Sequence, residues 1–174
     1  MNIAKYVPNT ITCFNLVSGC AASVAALEGN LLLAALLVIL AAVFDFFDGF
    51  AARLMHAYSP IGKDLDSLAD VVSFGVAPGM VVYWVLTQLA PSLPFGPANE
   101  FVPYWAFIIP AFSALRLAKF NIDERQTTSF IGLPVPAHAL FWVGVAYSIL
   151  PVLQINPSLF TLVILVLALV TSLL

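Results

Sequence analysis

Long apolar stretches alternate along the chain with short clusters of polar and turn-forming residues. The runs 31–44, 71–86 and 159–174 approach the roughly 20 apolar residues that carry a helix across a bilayer. Breaks fall at Glu28-Gly29-Asn30, Tyr58-Ser59-Pro60, the Pro/Gly-rich 91–99, 121–129 and Ile155-Asn156-Pro157. Each contains residues that stop or start helices. The pattern predicts six helices, over 10–28, 31–56, 63–90, 101–120, 134–152 and 157–174. No internal repeat, low-complexity segment or soluble domain interrupts them. The fold class is therefore all-α: one domain over 1–174, a polytopic bundle of six transmembrane helices.

Composition supports this reading. Hydrophobic residues make up 62% of the chain and the mean hydropathy is +1.04. A soluble fold of that composition would expose very large apolar patches. The net charge of −3 says nothing about partners, because the acids are concentrated in one place, and no nucleic-acid partner is expected. The bases are more informative. Lys5 precedes helix 1, Arg53 and Lys63 flank the second connection, and Arg116, Lys119 and Arg125 flank the fourth. The first, third and fifth connections have neither Lys nor Arg. By the positive-inside rule, both termini and the two charged connections are cytoplasmic, in the cell membrane. The opening "MNIAKYVPNT" lacks a cleavage site and reads as retained sequence. The last helix runs to Leu174 without a cationic anchor, which favours truncation of a longer chain. Cys13 and Cys20, seven apart on one helix face, read as small residues at a helix contact.

Of the nine acidic residues, five lie between Asp45 and Asp70. Asp45, Asp48, Gly49 and Ala52 follow i, i+3, i+4, i+7 spacing and share one face of helix 2; Asp66 and Asp70 share a face of helix 3. The short connection between these helices makes them antiparallel neighbours. A membrane-buried Asp costs about 2.5–3.5 kcal/mol on insertion scales, and only Arg53 and Lys63 are near in sequence. Salt bridges alone would not compensate. Carboxylates from two helices converging on one or two hard cations would, and Mg²⁺ or Mn²⁺ suits an all-oxygen site. Gly49, Ala52 and Gly62 keep the walls beside the cluster low. Solvated interfacial aspartates near helix ends are the plainer alternative.

The residues Asp45-x₂-Asp48-Gly49-x₂-Ala52-Arg53-x₈-Gly62-x₃-Asp66-x₃-Asp70 match every fixed position of a known signature. They resemble the CDP-alcohol phosphotransferase family. That resemblance implies a six-helix membrane enzyme, usually a homodimer, that cleaves a CDP-linked lipid and passes its phosphoryl-lipid part to an alcohol, releasing CMP. It implies two divalent ions held by Asp45, Asp48, Asp66 and Asp70, with Asp70 as the base for the attacking hydroxyl. Asp48, Gly49, Ala52, Arg53 and Gly62 would line the nucleotide, though Arg53 also suits a topology anchor. The segments "PNTITCFNLVSG" (8–19), "DSLADVVSFGVAPG" (66–79), "RLAKFN" (116–121) and "FIGLPVPAHA" (130–139) are similar to those of serine-accepting members. CDP-diacylglycerol and L-serine are then the expected substrates in phospholipid biosynthesis. Glycerol 3-phosphate or inositol phosphate is the alternative acceptor. His138 stands where relatives are expected to carry Ala.

Arg116, Lys119 and Asn121 form a candidate acceptor site. A guanidinium suits the serine carboxylate, and ordinary anchoring also explains the two cations. Gly75 and Gly79 with Pro78 between them suggest a helix contact or kink, with a substrate contact as the other reading. Trp84, Tyr104 and Trp105 suit an aromatic belt at the opposite interface. A cation-coupled transporter is the competing class. It would more commonly show repeated halves and ionisable groups near the midplane.

Overall fold

A computed structural model describes residues 6–57, 59–122, 133–152 and 155–173. Lys5, Tyr58, Arg125 and Leu174 lie outside the described residues, as do residues 123–132, which hold most of the fourth connection and the opening of 130–139. The described chain is helical, with no strand. Six rods follow one another, and four are long and apolar enough to cross a membrane.

Helices α1 (Tyr6–Leu27) and α2 (Leu31–Leu54) form a tight hairpin. α1 starts four residues earlier than the sequence pattern suggests, because Pro8 is tolerated in a first turn, where its missing N–H has no partner to lose. At its end Gly29 takes φ +78° while Asn30 N–H reaches Ala25 O at 2.9 Å. This is a left-handed helix stop that glycine enters without strain. Asn30 then caps α2, accepting from Leu33 N–H at 3.1 Å. α2 ends with the same device, Ala57 N–H on Ala52 O at 2.9 Å, but there His56 occupies the left-handed position at φ +48°.

The third rod, Pro60–Ser92, is the most enclosed of the four long ones. It starts three residues before the expected 63, since Ser59 caps Gly62 N–H at 3.0 Å and Pro60 is suited to a first turn. Its parts are α3 (Pro60–Asp70), a π-helical segment (Val71–Val76), α4 (Ala77–Leu89) and a closing 3₁₀ turn. Pro78 explains the wide segment. It has no N–H for the carbonyl of Phe74, and its ring would crowd that carbonyl; a wider turn, with Ala77 N–H on Val72 O, avoids the clash.

The fourth rod begins at 96 rather than 101, as a 3₁₀ stretch (Gly96–Phe107) that becomes α5 (Ile108–Ile122). Asn99 ties the preceding turn, accepting from Phe95 N–H and donating to Leu93 O. α6 (Val135–Ile149) and α7 (Pro157–Leu173) are shorter apolar helices.

Small residues set how closely the rods pack. Ala22, Ala25, Ala26, Ala34, Val38 and Ala41 line a seam of fully buried or nearly buried side chains between α1, α2 and the third rod. A Cβ at Gly19 would sit 2.6 Å from Ser73 Cα, so α1 crosses the π segment backbone to backbone. Gly75 and Gly79 meet Pro110 and Ser113 of α5 at 3.0–3.3 Å from where a Cβ would stand, which settles their role as a helix contact. Trp84 packs on Gly29, whereas Tyr104 and Trp105 are exposed. Cys13 and Cys20 are also exposed. They point away from the bundle, contrary to the expected contact within it, because Thr12, Asn15 and Gly19 take the inner face of α1.

Candidate active site

The aspartates sit in the last three turns of α2 and the second half of α3. Helical spacing turns Asp45 and Asp48 toward α3, and α3 returns Asp66 and Asp70 toward α2. Asp45, Asp48 and Asp66 each offer a carboxylate oxygen, and the three oxygens lie within 4.8 Å of one another. Asp48 Oδ2 and Asp66 Oδ1 are buried without a hydrogen-bond partner. A buried carboxylate oxygen left unpaired is costly, and a hard divalent cation is the ligand these oxygens fit. The donor set is all oxygen, with no sulfur or imidazole in the cluster. Asp70 is set one turn deeper. It accepts from Asn15 Nδ2 at 3.2 Å, with Asp45 and Asp66 as carboxylate neighbours.

Beside the cluster lies a cleft of about 370 Å³ between α1, α2 and α3. The five residues expected at the nucleotide, Asp48, Gly49, Ala52, Arg53 and Gly62, all line it. Gly49 leaves its wall open, as a Cβ there would approach nothing nearer than Arg53 Nη2 at 3.7 Å. Gly62 serves a different need: Asn9 Oδ1 and Ser59 Oγ stand 3.1 and 3.0 Å from its Cβ position. Arg53 donates from Nε to Gly49 O at 3.0 Å, which lays the guanidinium along the cleft.

The opposite wall is one that sequence reasoning missed. Pro8, Asn9 and Thr12 of α1 line the cleft, and Asn15 reaches Asp70 one turn further in. The available signal was a stripe of small and polar residues, Pro8, Thr12, Asn15 and Gly19, at i, i+4, i+7, i+11 on a mostly apolar helix. Ser59 and Lys63 complete the mouth.

The three acceptor candidates do not line this cleft. Asn121 ties α5 to α3: its Nδ2 donates to Ser67 Oγ at 2.7 Å, and its carbonyl accepts from Lys63 Nζ at 3.1 Å. Lys119 is exposed and Arg116 half-buried. α5 nevertheless packs against the π segment that follows Asp70, so Arg116 belongs to a helix adjoining the cluster. The Lys63–Asn121 bond brings both charged connections to one end of the bundle.

His138, by contrast, is buried between α6 and α7. Its Nε2 lies 2.9 Å from Thr171 Oγ1 and 2.8 Å from Trp142 Nε1. This is a polar clasp rather than a metal site.

The comparisons agree with the geometry. Residues 5–174 match the family model described as CDP-alcohol phosphatidyltransferase. The chain is 36% identical over 149 residues to the CDP-diacylglycerol–serine O-phosphatidyltransferase of Bacillus subtilis, covering 86% of this chain and 80% of that one. It is 37% identical over 138 residues to the enzyme of the same name from Helicobacter pylori, strain J99, covering 78% of this chain and 55% of the relative. The archaetidylserine synthase of Methanothermobacter thermautotrophicus is 33% identical over 139 residues, 77% of this chain and 54% of that protein. The chain thus spans about half the length of the last two. With six signature residues lining one cleft, Asp45 and Asp70 in the carboxylate cluster beside it, and a family match over nearly its full length, the chain belongs to the CDP-alcohol phosphatidyltransferase family.

Proposed function

We propose that the chain transfers the phosphatidyl group of CDP-diacylglycerol to the hydroxyl of L-serine, giving phosphatidylserine and CMP. The observation that carries this reading is the meeting of Asp45, Asp48 and Asp66 beside a cleft that Asp48 and Asp66 line together with Gly49, Ala52, Arg53 and Gly62. The acceptor follows from the names of the relatives.

The nucleotide would lie against Asp48, Gly49, Ala52, Arg53 and Gly62, facing Asn9 and Thr12. The pyrophosphate would face the aspartates. Asp45, Asp48 and Asp66, joined by Asp70, would hold Mg²⁺ or Mn²⁺, and we assign two ions. When bound, these supply positive charge to the pyrophosphate oxygens and the departing phosphate. Asp70 would accept the serine hydroxyl proton. The serine oxygen bonds to the lipid-side phosphorus as the bond from that phosphorus to the bridging oxygen breaks, and CMP leaves with the electron pair. Arg116, with Lys119 and Asn121 nearby, would draw the serine carboxylate toward α5 and away from the acids.

The placement of bases at one end of the bundle supports a cytoplasmic active site and cytoplasmic termini in the cell membrane. A homodimer is our reading of the assembly, and membrane lipid its surroundings. Position at one end of the bundle, rather than at mid-depth, disfavours a transporter.

Purified protein would be given CDP-diacylglycerol and Mg²⁺ or Mn²⁺, with serine, glycerol 3-phosphate or inositol phosphate offered separately. CMP release is expected with serine. Release with only one of the others would overturn the acceptor assignment while keeping the chemistry.

A further inference from the structure

Asn15 is completely buried on a transmembrane helix, nine residues after Tyr6 at the start of α1 and opposite the deepest aspartate. Two contacts of its own and one close crossing beside it define its position. Its Nδ2 donates to Asp70 Oδ1 at 3.2 Å. Its backbone carbonyl accepts from Ser73 Oγ at 3.0 Å. Four residues on, Gly19 lets Ser73 come closer than any side chain there would permit. Asn15 Oδ1 has no partner. Reversing the amide would set that oxygen against the Asp70 carboxylate, acceptor against acceptor, so the orientation is determined by charge.

We propose that Asn15 is a positioning residue for Asp70, an inference that rests on reading Asp70 as the base. The last torsion of an aspartate is broad and nearly two-fold, so an untethered Asp70 would swing either oxygen toward its carboxylate neighbours Asp45 and Asp66. Holding Oδ1 from the α1 side leaves Oδ2 as the oxygen presented to the acceptor hydroxyl. The π segment is part of the device. Ser73 lies within it, bound to the backbone of Asn15, so α1 and the third rod are locked together one turn from the base. Asn15 touches no reacting atom; it acts through Asp70.

The test is a double-mutant cycle on the full chain, with kcat and the KM of each substrate measured by CMP release. Asn15→Leu keeps the branching and the number of side-chain heavy atoms and removes the donor. In the parent background kcat should fall about 10- to 100-fold, the loss expected for a misplaced catalytic group, with both KM values within about threefold. In the Asp70→Asn background the same change should cost less than about twofold, because there is no base left to position. An equal loss in both backgrounds overturns the proposal and makes Asn15 a packing residue. Parental kcat in Asp70→Asn alone overturns the base assignment first, and the inference with it. Should Asn15→Leu fail to accumulate in membranes, Asn15→Ala goes through the same cycle with the same expectations.

Discussion

Gly19→Ala isolates the geometry on which the site depends. The added Cβ would lie 2.6 Å from Ser73 Cα, whereas carbon atoms in contact prefer about 3.5–4.0 Å. Backbone cannot rotate away as a side-chain tip can, so α1 and the π segment must separate by about 1 Å. The bond from Ser73 Oγ to Asn15 O, 3.0 Å in the parent, would then stretch beyond hydrogen-bonding range. Overpacking costs about 1–3 kcal/mol and a lost buried hydrogen bond about 0.5–1.5 kcal/mol. Replacing a helical glycine returns about 1 kcal/mol. The net is about 2 kcal/mol of destabilisation, a fall in Tm of about 4–8 °C for a chain of this size. The matching control is Gly144→Ala, where an added Cβ meets nothing within 4 Å and only the helix-propensity gain remains. Thermal unfolding in detergent, followed by intrinsic fluorescence, reads both variants beside the parent. Gly19→Ala should unfold earlier and lose kcat, and Gly144→Ala should match or exceed the parent Tm. If the two alanines shift Tm alike, the backbone crossing at Ser73 is not a constraint and the reasoning fails.

Asp66→Asn should raise the Mg²⁺ or Mn²⁺ concentration for half-maximal CMP release by about tenfold or more; an unchanged metal titration would remove Asp66 from the ligand set. Arg116→Lys keeps the charge but loses the paired donors, and should raise the serine KM about 10- to 100-fold with the CDP-lipid KM nearly constant. Failed membrane insertion with a normal serine KM would make Arg116 an anchor. His56→Gly relieves a left-handed residue at the end of α2 and should raise Tm by about 1–3 °C; a lower Tm would mean that the imidazole contributes to the mouth of the cleft. For topology, Cys13 and Cys20 are exposed and must first become serine. Single cysteines at Ser59 and Pro97 should then react from opposite sides, Ser59 from the cytoplasm. The reverse pattern would put the cleft outside.

Much of this architecture was legible in the chain because its breaks are chemical. Gly29-Asn30 and Ser59-Pro60 are breaks whose backbone demands few other residues meet, and both breaks fell where expected, although the helix after the second begins at Pro60 rather than at 63. The aspartate cluster was legible for the same reason: fixed spacing on two adjoining helices leaves the carboxylates little choice but to converge. Boundaries near proline were harder. Pro8 and Pro60 mark first turns rather than interruptions, and the fourth helix starts as a 3₁₀ stretch at Gly96, five residues before the expected 101. Asn15 was hidden because a lone carboxamide in an apolar run has no partner in sequence. Its partner is 55 residues away, across a helix crossing that only Gly19 and Ser73 make possible. Cys13 and Cys20 misled because small size suits an inner face as well as a lipid-facing one, and periodicity does not say which.

The wide segment at Val71–Val76 separates two jobs carried by one rod. A π turn inserts about one extra residue, so everything after Val76 is rotated back by roughly 100° relative to an uninterrupted α-helix. Upstream, Asp66 and Asp70 keep the phase that α1 and α2 require; downstream, α4 keeps the phase that its neighbours require, and the segment itself carries Gly75 toward Pro110 and Ser113. The chemical half and the structural half of the rod are thus clocked separately, like two gears on a shaft with a fixed offset. Substitutions in either half, Pro78 apart, leave the offset intact. Deleting Val72 would not: Ser73, Gly75 and the aspartates would survive in the sequence, yet one half of the rod would face the wrong way.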